Sequence, residues 1–319
     1  MHSAEFLTDL YEKTFGENNF NNSPKALYEP VYHIMGMKGK RIRPLLVLMA
    51  NDAFGGDVKQ ALNPAFAMEV FHNFTLVHDD IMDGADIRRG EPTVHVKYGV
   101  NAGILAGDVM LAYAYQYLCN VPQQHIPGLI QLFNKTAIEI FEGQQMDMDF
   151  EQRTDVGEVE YLKMIEYKTS VLLACSLQIG AMLAGASEAD QKLIYEFGLN
   201  LGLSFQIKDD YLDAFGEAEK VGKKIGGDIL NNKKTYLFVS ALNSNRRDDL
   251  LALLPETNED KKINSVKALL EESGAKQKTL DKADELYRIS QQSLAKVSLS
   301  DDAKKPLAKL AELINNREF

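Results

Sequence analysis

Apolar residues along this chain recur at three- and four-residue spacings rather than in alternation, which predicts an all-α protein built from amphipathic and buried helices. After Asn63-Pro64, read as an N-cap with proline at the first helical position, Phe66, Val70, Phe74, Val77 and Ile81 follow one helical stripe up to Gly84. That run is about 20 residues long, or ~30 Å. A second long helix is predicted from Ser187, with Asp190 as a box-like partner, through Leu199, Leu203 and Ile207 to Gly216. Leu45 to Ala50 reads as an apolar helix. Thr169 to Ala186 is the most apolar long stretch, but Gln178 and its many small residues set it below the ~20 predominantly apolar residues of a membrane span, so a buried core helix is expected.

Gly216 to Lys234 carries Gly222, Gly226, Gly227 and several lysines, the composition of a functional loop. Beyond Asn243, charged residues separate apolar positions such as Ile263, Val266, Leu269 and Leu270, or Leu307, Leu310 and Leu313. Peripheral C-terminal helices over 243–319 are expected, within a single domain spanning 1–319.

The 319 residues are 45% hydrophobic and 25% charged, as in a globular protein with a full core. A formal net charge of −11 argues against nonspecific binding to nucleic acid or anionic membrane, so basic residues matter here as local clusters. Cys119 and Cys175 form no CxxC pair, which argues against a disulfide framework or structural zinc and fits a reducing cytoplasm. Met1 to Lys13 carries Glu5, Asp9 and Glu12 instead of the basic-then-apolar order of a signal peptide. A cytoplasmic location without transmembrane segments is expected.

The candidate chemistry lies in two acidic motifs about 130 residues apart, Asp79-Asp80-Ile81-Met82-Asp83 and Asp209-Asp210-Tyr211-Leu212-Asp213. With Asp at ~6% of positions, one DDxxD arises by accident in a chain of this length with odds of only ~0.07. On a helix, Asp79 stacks over Asp83 and Asp209 over Asp213, and both motifs fall near helix C-termini, where carboxylates also oppose the macrodipole. Such an arrangement asks for a compensating cation. Oxygen donors alone, with only His78 nearby, favour Mg²⁺, which joins few protein carboxylates to substrate phosphates.

Basic residues answer these acids: Gly39-Lys40-Arg41-Ile42-Arg43-Pro44, Arg88-Arg89-Gly90, Lys168-Thr169, Lys223-Lys224 and Lys233-Lys234. Acids, metal and bases together point to an anionic substrate with several phosphates. There is no GxxxxGK[ST] and no GxGxxG after a strand, so nucleotide binding loses ground, and the apolar helices behind each motif suggest a greasy pocket attached to a diphosphate head.

From about Gly39 to Thr235 the chain resembles the trans-prenyltransferases, also called polyprenyl synthetases or isoprenyl diphosphate synthases. The ordered motifs are Gly39-Lys40-x-x-Arg43-Pro44, His72 seven residues before the first DDxxD, that motif with Arg88-Arg89-Gly90, Lys168-Thr169, and Phe205-Gln206-x-x-Asp209-Asp210-x-x-Asp213. The resemblance implies an all-α bundle around a deep central cavity, usually a homodimer, with the acidic motifs facing each other across the cavity mouth. It further implies three Mg²⁺ ions on Asp79, Asp80, Asp83 and Asp209, with Asp210 and Asp213 as closer-range or water-mediated helpers. Isopentenyl diphosphate would rest on Lys40, Arg43, His72 and Arg89, and the allylic diphosphate on Arg88. Lys168, Thr169, Gln206 and Lys233 would line the allylic head and the developing cation. The loop lysine falls at Lys223 or Lys224, and Gln144 and Asp147, in Gly143-Gln144-x-x-Asp147, would support the metal shell.

The implied reaction is ionisation of an allylic C–O bond, addition of the isopentenyl double bond, and loss of a proton to the departing diphosphate. Phe74, five positions before Asp79 and so ~7.5 Å deeper by helical rise, would floor the product pocket beside Thr75. The family trend links that pair to a C20 geranylgeranyl product, with farnesyl or longer products as alternatives. A terpene cyclase usually carries a different second metal motif, an HD-type phosphohydrolase needs further histidines, and a non-catalytic subunit lacks the aspartates. All three therefore stand behind chain elongation.

Overall fold

The computed structural model of the protein describes residues 2–16, 20, 22–216 and 226–316. Its centre is α4 (Val58–Met82), flanked by α3 (Ile42–Ala53) and α6 (Val100–Leu118), with α1 (Ala4–Phe15), α2 (Lys25–Gly36) and the short α5 (Val94–Tyr98) outside them. On the other side of α3 lies α9 (Val171–Leu183), which also meets α7 (Ile126–Glu151) and α10 (Glu188–Phe215). Val171 through Leu177 of α9 are all buried, as the sequence predicts for a core helix. Among the described residues, no helix is long and apolar enough to cross a membrane.

α4 begins six residues earlier than the Asn63-Pro64 signal suggests. Asp57 is the cap, its carboxylate accepting the Lys59 N–H at 3.0 Å, and Pro64 lies inside the helix. Pro64 is buried, so the apolar packing of α4 overrides the cost of its missing N–H. At the other end Asp83 caps the helix and Gly84, at φ +62°, turns the chain away. α10 starts at Ser187 as expected, the hydroxyl accepting the Asp190 N–H at 3.1 Å. The Asp190 carboxylate, however, accepts from the Ser187 hydroxyl at 2.8 Å and the Ser298 N–H at 2.7 Å, so it ties the C-terminal segment down instead of completing a box.

The one sheet among the described residues is a ribbon of β1 (Ile87–Arg88) and β2 (Glu91–Pro92), too short to show alternation in sequence. Arg89 and Gly90 form its turn with φ +54° and +82°, the positive pair that a two-residue hairpin loop favours. After α8 (Glu158–Ile165) a single π turn, 166–170, leads into α9. The chain then continues from α10 through α11 (Gly227–Leu230), α12 (Tyr236–Leu242), α13 (Arg247–Leu253), α14 (Glu259–Glu272), α15 (Ala275–Lys296) and α16 (Asp301–Asn316).

The C-terminal helices are less peripheral than their charge suggests. α15 runs along α10, and Leu294, Leu307, Leu310 and Ile314 join the main apolar core, because an amphipathic stripe must bury its apolar side somewhere.

Candidate active site

The C-terminal ends of α4 and α10 converge on a cavity of ≈ 220 Å³, which Asp79 and Asp83 enter from one motif and Asp209 and Asp210 from the other. The two motifs therefore face a common hollow. Their six carboxylates are not equivalent. Asp80 is buried outside the cavity lining and gripped by Arg88, whose Nε lies 2.8 Å from both carboxylate oxygens and whose Nη2 lies 2.6 Å from Oδ1. Asp210 accepts from the Tyr161 hydroxyl and, at 2.9 Å, from the Tyr236 N–H. Asp213 accepts the Asp228 N–H at 3.0 Å and fastens the start of α11 to α10.

Burial raises Asp79 to about 6, with Asp83 and Asp80 adding repulsion against the relief from Lys168 and Arg88. Burial likewise lifts Asp210 to about 7, although Tyr161 and the Tyr236 N–H stabilise its charge. Among the described residues no three His, Cys, Asp or Glu side chains form a preassembled metal cage.

Two glycines let the π turn approach this cavity. A Cβ at Gly143 of α7 would stand 2.4 Å from the Lys168 nitrogen, and one at Gly202 of α10 would stand 2.8 Å from the Ser170 Cα. Held between them, the turn aims Lys168 at Asp147 (Nζ to Oδ2, 2.6 Å) and Thr169 at Gln206 (Oγ1 to Oε1, 3.3 Å), all four lining the cavity. Gln206 also reaches Asp210, donating at 3.4 Å. Lys233 lines the same cavity; burial works to lower its pKa, but Asp228, Asp147, Asp210 and Asp83 hold it above the usual value. Lys223 and Lys224 lie outside the described residues.

The hairpin splits its two arginines between two sites. Arg88 faces the acidic cavity, whereas Arg89 lies against Gly39, where a Cβ would come within 2.9 Å of its Nη1. Arg43 and His72 share this second neighbourhood. Burial lowers Arg43 to about 10 and, together with the charges of Arg43, Arg89 and Arg88, holds His72 well below the usual imidazole value. Arg43 Nε is buried without a partner, and Lys40 sits exposed on the adjoining turn. A cluster of mutually repelling cations with an orphaned donor suits an anion.

Arg41, in the middle of the basic run, does something else. It points inward to Glu69 (2.6 Å) and to the carbonyls of Met35 and Met37, so its role is to shape the turn at φ +47°. Glu69 is buried, and its one signal in sequence is a lone acid within the apolar run Ala65 to Phe71. Tyr161 and Tyr236 were invisible in sequence, since they lie 49 and 26 residues from Asp210.

Beside Asp79 opens an apolar pocket of ≈ 270 Å³ bounded by Phe74, Thr75 and Met82 of α4 and by Ile140, Phe141 and Met148 of α7. Asp79 lines both cavities, so a chain in this pocket ends at the acids. Gln144 also lines the apolar pocket rather than the acidic one, and neither of its buried amide atoms has a partner. Its neighbour Asp147, three residues on, faces the acids.

These features have close parallels. A geranylgeranyl diphosphate synthase of Sulfolobus acidocaldarius is 43% identical over 268 residues, covering 83% of this chain and 78% of that one. A short chain isoprenyl diphosphate synthase of Methanothermobacter thermautotrophicus is 35% identical over 315 residues, covering 98% and 96%. A solved structure of a geranylgeranyl pyrophosphate synthase superimposes with a TM-score of 0.95 at 44% identity, covering 99% of each chain. Residues 24–273 match the polyprenyl synthetase family along most of the chain, including every motif described above, and the protein belongs to that family.

Proposed function

We propose that this protein is a prenyltransferase that adds isopentenyl diphosphate head-to-tail to an allylic diphosphate, with C20 geranylgeranyl diphosphate as its product. The observation that carries the reading is the junction at Asp79: a carboxylate-lined cavity on one side and an apolar pocket on the other, with a separate cation cluster behind the hairpin. The names of the relatives support the same product.

The carboxylate oxygens of Asp79, Asp83 and Asp209 at the acidic cavity fit Mg²⁺. Asp79, Asp83 and Asp209 would hold the ions, drawing remaining ligands from diphosphate oxygens and water. Asp80, committed to Arg88, instead fixes that guanidinium at the cavity wall, and Asp210 and Asp213 brace the fold around it. Bound Mg²⁺ supplies stabilisation of the negative charge that grows on the diphosphate as the allylic C–O bond breaks.

Arg88, Lys168 and Lys233 add fixed positive charge around the same leaving group. Thr169 and Gln206 present oxygen dipoles to the allylic carbocation without a nucleophile strong enough to trap it. Lys40, Arg43 and Arg89 hold isopentenyl diphosphate, and His72, kept neutral among these cations, contributes a hydrogen bond rather than charge. The proton lost after C–C bond formation leaves with the diphosphate. Phe74 and Thr75 then limit how far the chain grows.

Exposed apolar side chains, Ile104 and Leu105 on α6 with Ile138 and Phe141 on α7, support self-association as a homodimer. The unpaired Cys119 and Cys175 support a cytoplasmic location.

Incubation of the purified protein with isopentenyl and dimethylallyl diphosphates and Mg²⁺, followed by mass analysis, tests the reading. A C20 diphosphate is expected. Release of phosphate or a cyclised hydrocarbon without any elongated diphosphate would overturn it.

A further inference from the structure

Phe74 is not alone at the end of the tail pocket. Its ring meets His78 edge-on, with centroids 4.9 Å apart and planes at 68°, and meets Phe141 of α7 at 6.0 Å and 89°. Both geometries are the edge-to-face arrangement that aromatic rings prefer, and they hold the Phe74 ring from two directions. His78 is itself set by α6. Its Nε2 lies 3.2 Å from the Ile104 carbonyl, in a slot that exists because residue 107 is glycine: a Cβ there would stand 2.1 Å from Nε2. Both His78 and Phe141 line the pocket with Phe74.

We propose that product length is set by a clamp across three helices, in which Phe141 and the His78–Gly107 contact hold the Phe74 ring in the path of the growing chain. The proposal rests on the reading of Phe74 as the pocket floor and adds Phe141 and Gly107 as specificity-determining positions. Each has a signed consequence. Phe141→Ala removes the opposing ring, so Phe74 turns aside and the chain grows further. Gly107→Ala fills the slot, and the imidazole moves to the side already open to it, the tail pocket, where it shortens the product. Residue 107 lies within α6 and shows no left-handed backbone, so alanine suits the helix there.

The experiment compares Phe74→Ala, Phe141→Ala and Gly107→Ala for product chain length with dimethylallyl diphosphate and isopentenyl diphosphate, and for unfolding temperature. Expected are a several-fold rise in products longer than the parent's for the first two and a shift toward shorter products for the third. The rate of a single condensation on dimethylallyl diphosphate should stay within twofold for Gly107→Ala. Phe141→Leu, which keeps apolar volume but no ring, stands in if Phe141→Ala is unstable, with the same outcome expected. Longer products from Phe74→Ala together with parental products from either the Phe141 or the Gly107 variant would overturn the clamp and leave the floor standing. Parental products from Phe74→Ala would remove the floor, and the clamp with it. A merely structural role would lower the unfolding temperature without moving the product distribution.

Discussion

Gly143→Ala isolates the contribution of the π turn, because it touches the turn's backbone and no reacting side chain. The new Cβ would lie 2.4 Å from the Lys168 nitrogen, 2.8 Å from the Tyr167 Cβ and 2.9 Å from the Lys168 Cα. Main-chain atoms cannot rotate away. Ordinary contact begins at 3.4 Å, so α7 and the turn must separate by 3.4 − 2.4 = 1.0 Å. Alanine gains roughly 1 kcal/mol over glycine in a helix interior, while overpacking costs about 1–3 kcal/mol. The net loss of stability is therefore at most ~2 kcal/mol, a shift of a few degrees in Tm.

The same displacement moves Lys168 away from Asp147 and Thr169 away from Gln206, and a misplacement of ~1 Å costs on the order of 100-fold in rate. Steady-state kinetics with saturating substrates and a thermal melt on one preparation supply both numbers. A fall in kcat of about 100-fold with a Tm change of a few degrees is expected. A folded variant with kcat within twofold of the parent would refute the argument that the close approach of α7 positions these groups.

Two further predictions concern the ions that the fold buries. Glu69→Ala leaves the Arg41 guanidinium with two carbonyls and the half-exposed Glu12 carboxylate 4.0 Å away, and should cost ~3 kcal/mol, read from urea unfolding, while raising KM for isopentenyl diphosphate because Arg41 shapes the turn that carries Lys40 and leads into Arg43. Without metal, Asp79 and Asp210 titrate at about 6 and about 7 in the folded chain against a usual 3.8, so between those values the folded state keeps protons that the unfolded state has released. Their contribution to stability thus falls as pH rises from about 4 to about 7, each tenfold difference in proton affinity between the two states amounting to ~1.4 kcal/mol, and Asp79→Asn should flatten the slope seen by urea unfolding at pH 5 and pH 7.5.

Helix content, the two acidic motifs and the basic clusters were legible in the sequence because each rests on local spacing. The 3.6-residue period needs no partner to be recognised, and Ser187 caps α10 through an N–H only three residues away. Even so, locality misled at Pro64, where a plausible start signal lies inside a helix whose true cap is Asp57. The run Gly39 to Pro44 likewise reads as uniform positive charge, yet it divides into Arg43, whose buried Nε has no partner beside the charge of Arg89, and Arg41 turned onto Glu69.

Residue order alone thus specified which chemical groups this protein owns: six aspartates in two copies of one pattern, the cations that answer them, and helices apolar enough to wall a pocket. It could not say where each aspartate is placed and by what it is held. Asp79, Asp83, Asp209 and Asp210 line the cavity, yet Asp210 is also held by tyrosines from two other elements, and Asp80, outside the lining, is held by an arginine eight residues on. The reason is that a carboxylate's role depends on the donors and desolvation around it, and those arrive from segments that meet only when α4, the β1–β2 hairpin, α8, α10 and α12 pack together.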